Sequence, residues 1–275
     1  MTASTSSFVR RAQSGVETLA RLGFFVKGIV YATIGVLAAS LAIRGTGETD
    51  DPQGALRALG SSAIGHASLA VIAVGFVAYA AWRLLAAMTG ADEEPPGTWG
   101  MMVRLGKTLD GVFHALLGLE ALRLFAASLR PEPDFARTWS ARALRIPGGR
   151  LLVVAVGGGL VVFAIYQLSR TLTHGSRDHL RFDETTPTTA TAIDLLGRYG
   201  TASLSVVLVL IGTFLVRTAV TYDPRRAGGI GYSLGVLAQE PHGRFLLAVV
   251  SLGFVSFGAF QMASSRFRRI RVMPS

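Results

Sequence analysis

The chain has 275 residues, half of them apolar and 16% charged, with a formal net charge of +10 and no cysteine. Without cysteine, disulfides and thiolate metal sites are excluded, and the charged fraction is well below the roughly one quarter usual in soluble domains. The basic residues lie between long apolar runs, not over one face of a polar domain. That pattern meets anionic lipid headgroups and gives no footing for nucleic-acid recognition.

In chain order, residues 1–14 read as a polar tail, rich in Ser and Thr. The first apolar run, Gly23–Ile43, is longer than the roughly 7–15 residues of a signal-peptide core, so it is read as a retained helix. Five more runs follow: Ala67–Met88, Gly106–Leu129, Leu151–Ser169, Thr201–Val216 and Phe245–Ala263. A helix rises about 1.5 Å per residue, so about 20 residues cross the hydrocarbon. The fifth run is short, and its span is expected to draw Tyr199, Gly200 and Arg217 into the headgroup region. Runs such as Leu204–Val216 carry no polar face for water, against a soluble bundle. Pro52, Pro95, Pro96, Pro131, Pro147, Pro187, Pro224 and Pro241 read as stops between the runs.

The odd runs share a pattern. Arg21-Leu22-Gly23 corresponds to Arg104-Leu105-Gly106 and Arg198-Tyr199-Gly200; at equal spacing Gly28 corresponds to Gly111 and Ser205, and Gly35 to Gly118 and Gly212. The even runs share another. Gly75 corresponds to Gly159 and Gly253, followed by aromatic pairs Tyr79 and Trp82, Phe163 and Tyr166, Phe257 and Phe260, then by Arg83, Gln167 and Gln261. These matches predict an all-α polytopic membrane protein, six transmembrane helices built as three two-helix repeats in a pseudo-threefold arrangement. The copies cover about 15–90, 98–173 and 192–268. Small residues seven apart share a helix face and let helices approach in lipid, so both stripes are read as helix packing, not as ligand boxes. The segments 54–59, Trp139–Leu144 and Ile230–Leu237 are expected to form short interfacial helices. The last two lead into matching Pro-x-Gly-Arg corners, at Pro147 to Arg150 and Pro241 to Arg244.

An even number of spans puts both termini on one side. Basic residues outside the spans are slightly in excess there, and Arg266, Arg268, Arg269 and Arg271 add a cluster. Both termini are therefore expected in the cytoplasm.

Three stretches of the first copy, Ala20-Arg21-Leu22-Gly23, Lys27-Gly28-Ile29-Val30-Tyr31 and Gln53-Gly54-Ala55-Leu56, with the ending Arg266-Phe267-Arg268-Arg269-Ile270, resemble the bacterial family called domain of unknown function 1206. The resemblance covers nearly the whole chain. It implies three two-helix copies in a bacterial inner membrane and supplies no catalytic residue. The second copy departs from the first by carrying Asp110 where the first has Lys27, and the third has Leu204 there.

Charges within membrane spans require partners. Lys27 and Asp110 are equivalent and about 6 Å inside their spans by helix rise, so a pair between them is expected if the copies surround one axis, against separate snorkelling. Tyr31 and His114 are equivalent one turn deeper, and Glu120 has Arg123 three residues on. The third run therefore faces the bundle interior. Arg83 is a further partner for a carboxylate. Two readings stay open for Lys27, Arg83, Asp110, His114, Glu120 and Arg123: internal pairing that fixes the helices, or a polar path for an ion or small solute. No nucleophile–base arrangement is visible and no enzymatic activity is expected. His174, Asp178, His179, Asp183 and Glu184 read as a solvated loop, not a metal site; no metal or cofactor is expected. His66 and His242 are expected at helix entrances. The expected partners are the bilayer, with anionic headgroups at the basic loops and tail, and a membrane protein of unknown identity.

Overall fold

The computed structural model describes residues 2–44, 55–56, 59–60, 63–89, 97–126, 135–174, 180 and 186–268. Among them the elements are α1 (Thr2–Arg44), α2 (Ala63–Thr89), α3 (Thr98–Phe125), α4 (Phe135–Leu144), α5 (Gly149–His174), α6 (Pro187–Thr221), a 3-10 turn (Pro224–Arg226), α7 (Ile230–Gln239) and α8 (Gly243–Phe267). Five of these helices are long and apolar enough to cross a membrane. The sixth long helix, α3, has 28 residues. It falls outside that set because it carries Arg104, Lys107, Asp110, Glu120 and Arg123.

The polar tail is helical and runs on into the first span: α1 is continuous from Thr2 for 43 residues, about 64 Å by helix rise. One element differs from the sequence expectation. The fifth span is not short, because Pro187 starts α6 instead of stopping a helix. Thr186 caps that end, its hydroxyl accepting the Thr189 N–H at 3.3 Å. Proline at the first helical position has no N–H to leave unsatisfied, and its fixed φ suits the turn. The short helices α4 and α7 cover the two later interfacial segments. Ala55 and Leu56 of the first are helical and fully buried. Corners lead into α5 and α8 through left-handed residues at equivalent places, Gly148 (φ 76°) and His242 (φ 62°).

The long helices follow one another around a ring, each antiparallel to its neighbours. The most extensive contacts are not within copies but between them: α1 with α8, α2 with α3, and α5 with α6. The odd-run glycines form these seams. A Cβ at Gly28 would meet Met262 and the Gly258 carbonyl of α8, and one at Gly35 would meet Ser251 and Val255. Gly111 and Gly118 lie against Ala80, Leu84, Ala73 and Val77 of α2, and Gly212 lies against Gly157 and Val161 of α5. Close backbone approach of this kind is the main source of helix association where lipid tails are as apolar as the side chains. Arginines lock both ends of the α1–α8 seam. Arg244 donates to the carbonyls of Ala42 (3.1 Å) and Ile43 (2.8 Å) at the end of α1. Arg21 donates to those of Ser265 (2.7 Å) and Arg266 at the end of α8. These are the carbonyls that a helix terminus leaves without partners.

Within copies the contact is uneven. In the first, Gly75 of α2 receives Val26 of α1; in the third, Gly253 of α8 receives Ser203 of α6. In the second, α3 and α5 scarcely approach each other. Gly158 and Gly159 have no atom within 4 Å of where a Cβ would stand. Leu109, the counterpart of Val26 and Ser203, is 58% exposed. The expectation that Gly159 belongs to a packing stripe is thus overturned: no knob from α3 reaches it, and α5 packs on α6 through Gly157 instead. Only 17% of the α5 span is buried, against 44–56% of the other four, although α5 is the most apolar of the five.

The interior of the ring is packed. One apolar cluster joins Ile34 of α1, Phe76 of α2, Leu117 of α3, Val153 of α5, Val207 of α6 and Phe254 of α8. Tyr31 stacks near Phe254 (ring centroids 6.1 Å apart) and meets Phe257 edge-on (5.0 Å). Gly28→Leu should lower stability by about 1–3 kcal/mol, because the added atoms run into α8 backbone, whereas Gly159→Leu should leave it unchanged. Thermal unfolding of the two variants in detergent measures the difference.

Candidate functional site

Four intramembrane polar residues named from the sequence converge at one point. Lys27 on α1, Arg83 on α2, and Asp110 and His114 on α3 meet on the inner side of the first two copies. Lys27 is there because the face of α1 that carries it turns toward the ring interior, with Val30 and Ile34 further along. Asp110 is its equivalent on α3, and the cyclic order of the copies brings the two together across α2. The Lys27 ammonium lies 3.4 Å from Asp110 Oδ1 and donates to the Tyr79 hydroxyl at 3.0 Å. The Tyr79 hydroxyl donates to Asp110 Oδ2 at 2.8 Å. Arg83 Nε donates to the same oxygen at 2.7 Å.

One carboxylate on α3 thus binds two cations and a phenol from α1 and α2. Its neighbours are mostly dry: the Lys27 and His114 side chains are 7% and 0% exposed, while those of Arg83 and Asp110 keep 19% and 23%. The Lys27 ammonium also stands 4.6 Å from the Tyr79 ring centroid, within cation–π range. Two positive charges against one negative give the cluster a formal excess of one.

His114 closes the cluster on the α3 side. Its Nδ1 is 2.7 Å from the Asp110 carbonyl and 3.3 Å from Oδ1, and its ring packs between Tyr79 (4.7 Å), Phe113 (5.3 Å) and Phe76 (5.5 Å). A bond to the carbonyl makes Nδ1 the protonated nitrogen and leaves Nε2 as an acceptor. Nε2 is buried and has no hydrogen-bond partner among the described residues.

Glu120 and Arg123 do not join this group. They are near each other at 3.8 Å on one helix surface, with the Arg123 side chain 45% exposed. The Glu120 side chain is 16% exposed, and 3.8 Å is too long for a hydrogen bond, so the pair contributes little. The other cyclic seams carry weaker polar contacts at the equivalent level. Gln167 of α5 reaches Ser205 of α6 at 3.4 Å, and Gln261, the counterpart of Arg83 on α8, is a buried neutral amide. Leu204 leaves the third copy without the charge.

Of the aromatic stripe, Trp82 packs on Phe24 and Tyr79, Phe257 on Tyr31, and Phe260 with Leu180 and Ile193. Phe163 reaches Gly106 with its ring edge, and Tyr166 meets Arg170 at 3.4 Å. Tyr79 was read from the sequence as packing alone, yet its hydroxyl is central to the cluster. The available signal was that this position is phenylalanine in the other copies, Phe163 and Phe257, so only Tyr79 carries an oxygen. His66 stacks on Phe125 (5.5 Å) and His242 precedes α8. Asp178, His179, Asp183 and Glu184 lie outside the described residues, as do Arg269 and Arg271.

Three comparisons bear on the chain. A family profile described as Domain of Unknown Function (DUF1206) matches three times, at residues 22–90, 105–174 and 199–268. These matches correspond to the three copies expected from the repeat. The chain is similar to the "Uncharacterized protein YxxB" of Bacillus subtilis (strain 168), 28% identical over 265 residues, 96% of each chain. No solved structure matches.

Asp110 is the carboxylate that Lys27 and Arg83 share. Asp110→Asn should cost about 3–5 kcal/mol, since it removes the negative charge between two cations in a site of low dielectric. Tyr79→Phe, which deletes two hydrogen bonds and leaves the packing, should cost about 1–3 kcal/mol. Glu120→Gln should cost under about 1 kcal/mol. Denaturant or thermal unfolding in one detergent ranks the three.

Proposed function

The chain belongs to the family described as Domain of Unknown Function (DUF1206), and we propose that this multi-pass helical membrane protein serves as a structural or partner-binding component of the bacterial cell membrane, with both termini in the cytoplasm and no reaction of its own. The observation that carries this reading is the way its charges are spent. Lys27 and Arg83 are both paired with the Asp110 carboxylate, so that one ion cluster joins three helices. Below them, the apolar cluster that spans the ring fills the interior. Intramembrane charges that are paired at this cost act as fixed joints between helices.

A second reading, a path for a proton or small solute, has two specific observations in its favour. His114 Nε2 is buried beside Asp110 without a partner among the described residues, and the Asp110 side chain keeps 23% of its surface. A carboxylate and a histidine in contact can pass a proton. The packed apolar residues further along the ring stand against a continuous route.

Flux through proteoliposomes separates the two. With the protein reconstituted in one orientation and a pH or potassium gradient imposed, the structural reading expects leakage equal to that of empty liposomes for the native chain, Asp110→Asn and His114→Ala. A flux that needs the protein and is abolished by Asp110→Asn or His114→Ala refutes it.

A further inference from the structure

Among the described residues, the backbone of α3 is in extensive contact with one element only, α2. His114 sits in the middle of that contact. Its level lies between Gly111, which meets Ala80 and Leu84, and Gly118, which meets Ala73 and Val77. The side chain is fully covered, with the Phe76 and Tyr79 rings of α2 and the neighbouring Phe113 ring around it.

The two ring nitrogens have different surroundings. Nδ1 faces oxygen, at the Asp110 carbonyl and Oδ1. It carries its hydrogen in the neutral and in the protonated ring alike, so protonation adds no hydrogen bond on that side. A proton on Nε2 creates an N–H for which the described residues offer no acceptor, and a buried donor left unpaired is costly. It also creates a cation in a covered site. The charged and titratable groups around the ring are Lys27 on α1, Tyr79 and Arg83 on α2, and Asp110 one turn away on α3. Tyr31 turns instead to Phe254 and Phe257 of α8. The Asp110 carboxylate attracts an imidazolium, but it is already shared: Lys27 stands 3.4 Å from the Oδ1 that Nδ1 faces, and Arg83 binds Oδ2. The aromatic cover excludes the water that would screen these charges.

We infer that His114 makes the α2–α3 contact acid-sensitive: the joint is complete with a neutral imidazole and loosens when Nε2 takes a proton. Histidine is the side chain whose ordinary titration falls between pH 5 and 8. The equivalent residues of the other copies, Tyr31 and Leu208, take up no proton in that range. The device therefore belongs to α3 alone, the helix whose one extensive contact it occupies. The inference rests on the reading of this cluster as a joint between helices, and adds the condition under which the joint gives way.

Stability against pH tests it, with the native chain and His114→Phe unfolded by denaturant in one detergent between pH 8 and pH 5. Phenylalanine keeps a ring among the aromatics and binds no proton, and the remaining histidines are common to both chains. A proton bound by the unfolded chain and not by the folded one draws the equilibrium toward unfolding as pH falls. Relative to His114→Phe, the native unfolding constant should rise below about pH 6.5, approaching about tenfold per pH unit, and run parallel above it. His114→Gln, neutral at every pH, repeats the comparison if the phenylalanine variant folds poorly. The chain has no cysteine, so Ala73→Cys on α2, beneath Gly118, supplies a single thiol at the seam. At pH 5.5 a thiol reagent should modify it several-fold faster in the native background than in the His114→Phe background. Equal pH dependence of the native chain and both variants, a native chain that gains on them in acid, or equal thiol rates overturns the inference. Flux through proteoliposomes bears on the structural reading instead: a chain that conducts nothing, with no pH dependence assignable to His114, keeps that reading and refutes this one.

Discussion

The architecture depends on backbones touching. In a bilayer the hydrophobic effect does not bring helices together, because lipid and side chain are equally apolar. What remains is close packing, and it needs places where a Cβ is missing. Gly28 and Gly35 supply them against α8, Gly111 and Gly118 against α2, and Gly157 with Gly212 between α5 and α6. These are the seams between copies, so the repeat is not three hairpins laid side by side. Each copy is joined to the next more extensively than its own two helices are joined to each other.

That order of contacts makes the polar cluster possible. The first helices of successive copies are separated by the second helix of the earlier one, and α2 brings Tyr79 and Arg83 into the space between Lys27 and Asp110. An aspartate beside a single lysine would be a bare pair in low dielectric, where desolvation offsets most of the attraction. A second cation and a phenol fill its remaining lone pairs, with Tyr79 donating at 2.8 Å and Arg83 at 2.7 Å. The cluster ties α1, α2 and α3 at one level.

Asymmetry among the copies follows. Copies one and three close because Val26 and Ser203 seat on a glycine of the partner helix. In copy two, the counterpart is leucine, facing two adjacent glycines across a gap bridged near one end by the Phe163 ring. α5, the most apolar span, is therefore left with the least protein cover.

Much of this was legible without coordinates. Helical spans follow from apolar runs long enough to cross the hydrocarbon, and the three copies from glycines and aromatics recurring at constant spacing. The equivalence of Lys27 with Asp110, and of Tyr31 with His114, follows from the same register. These are one-dimensional properties, set by helix period and repeat length. Which neighbour each face meets is not. A glycine stripe accepts any close helix, so Gly111 packing on α2 and Gly159 on nothing were decided by the tertiary arrangement alone. The recruitment of Arg83 and Tyr79 to Asp110 was decided there too, because a side chain's partner depends on the crossing and rotation of separate helices, which no residue spacing within a single helix encodes.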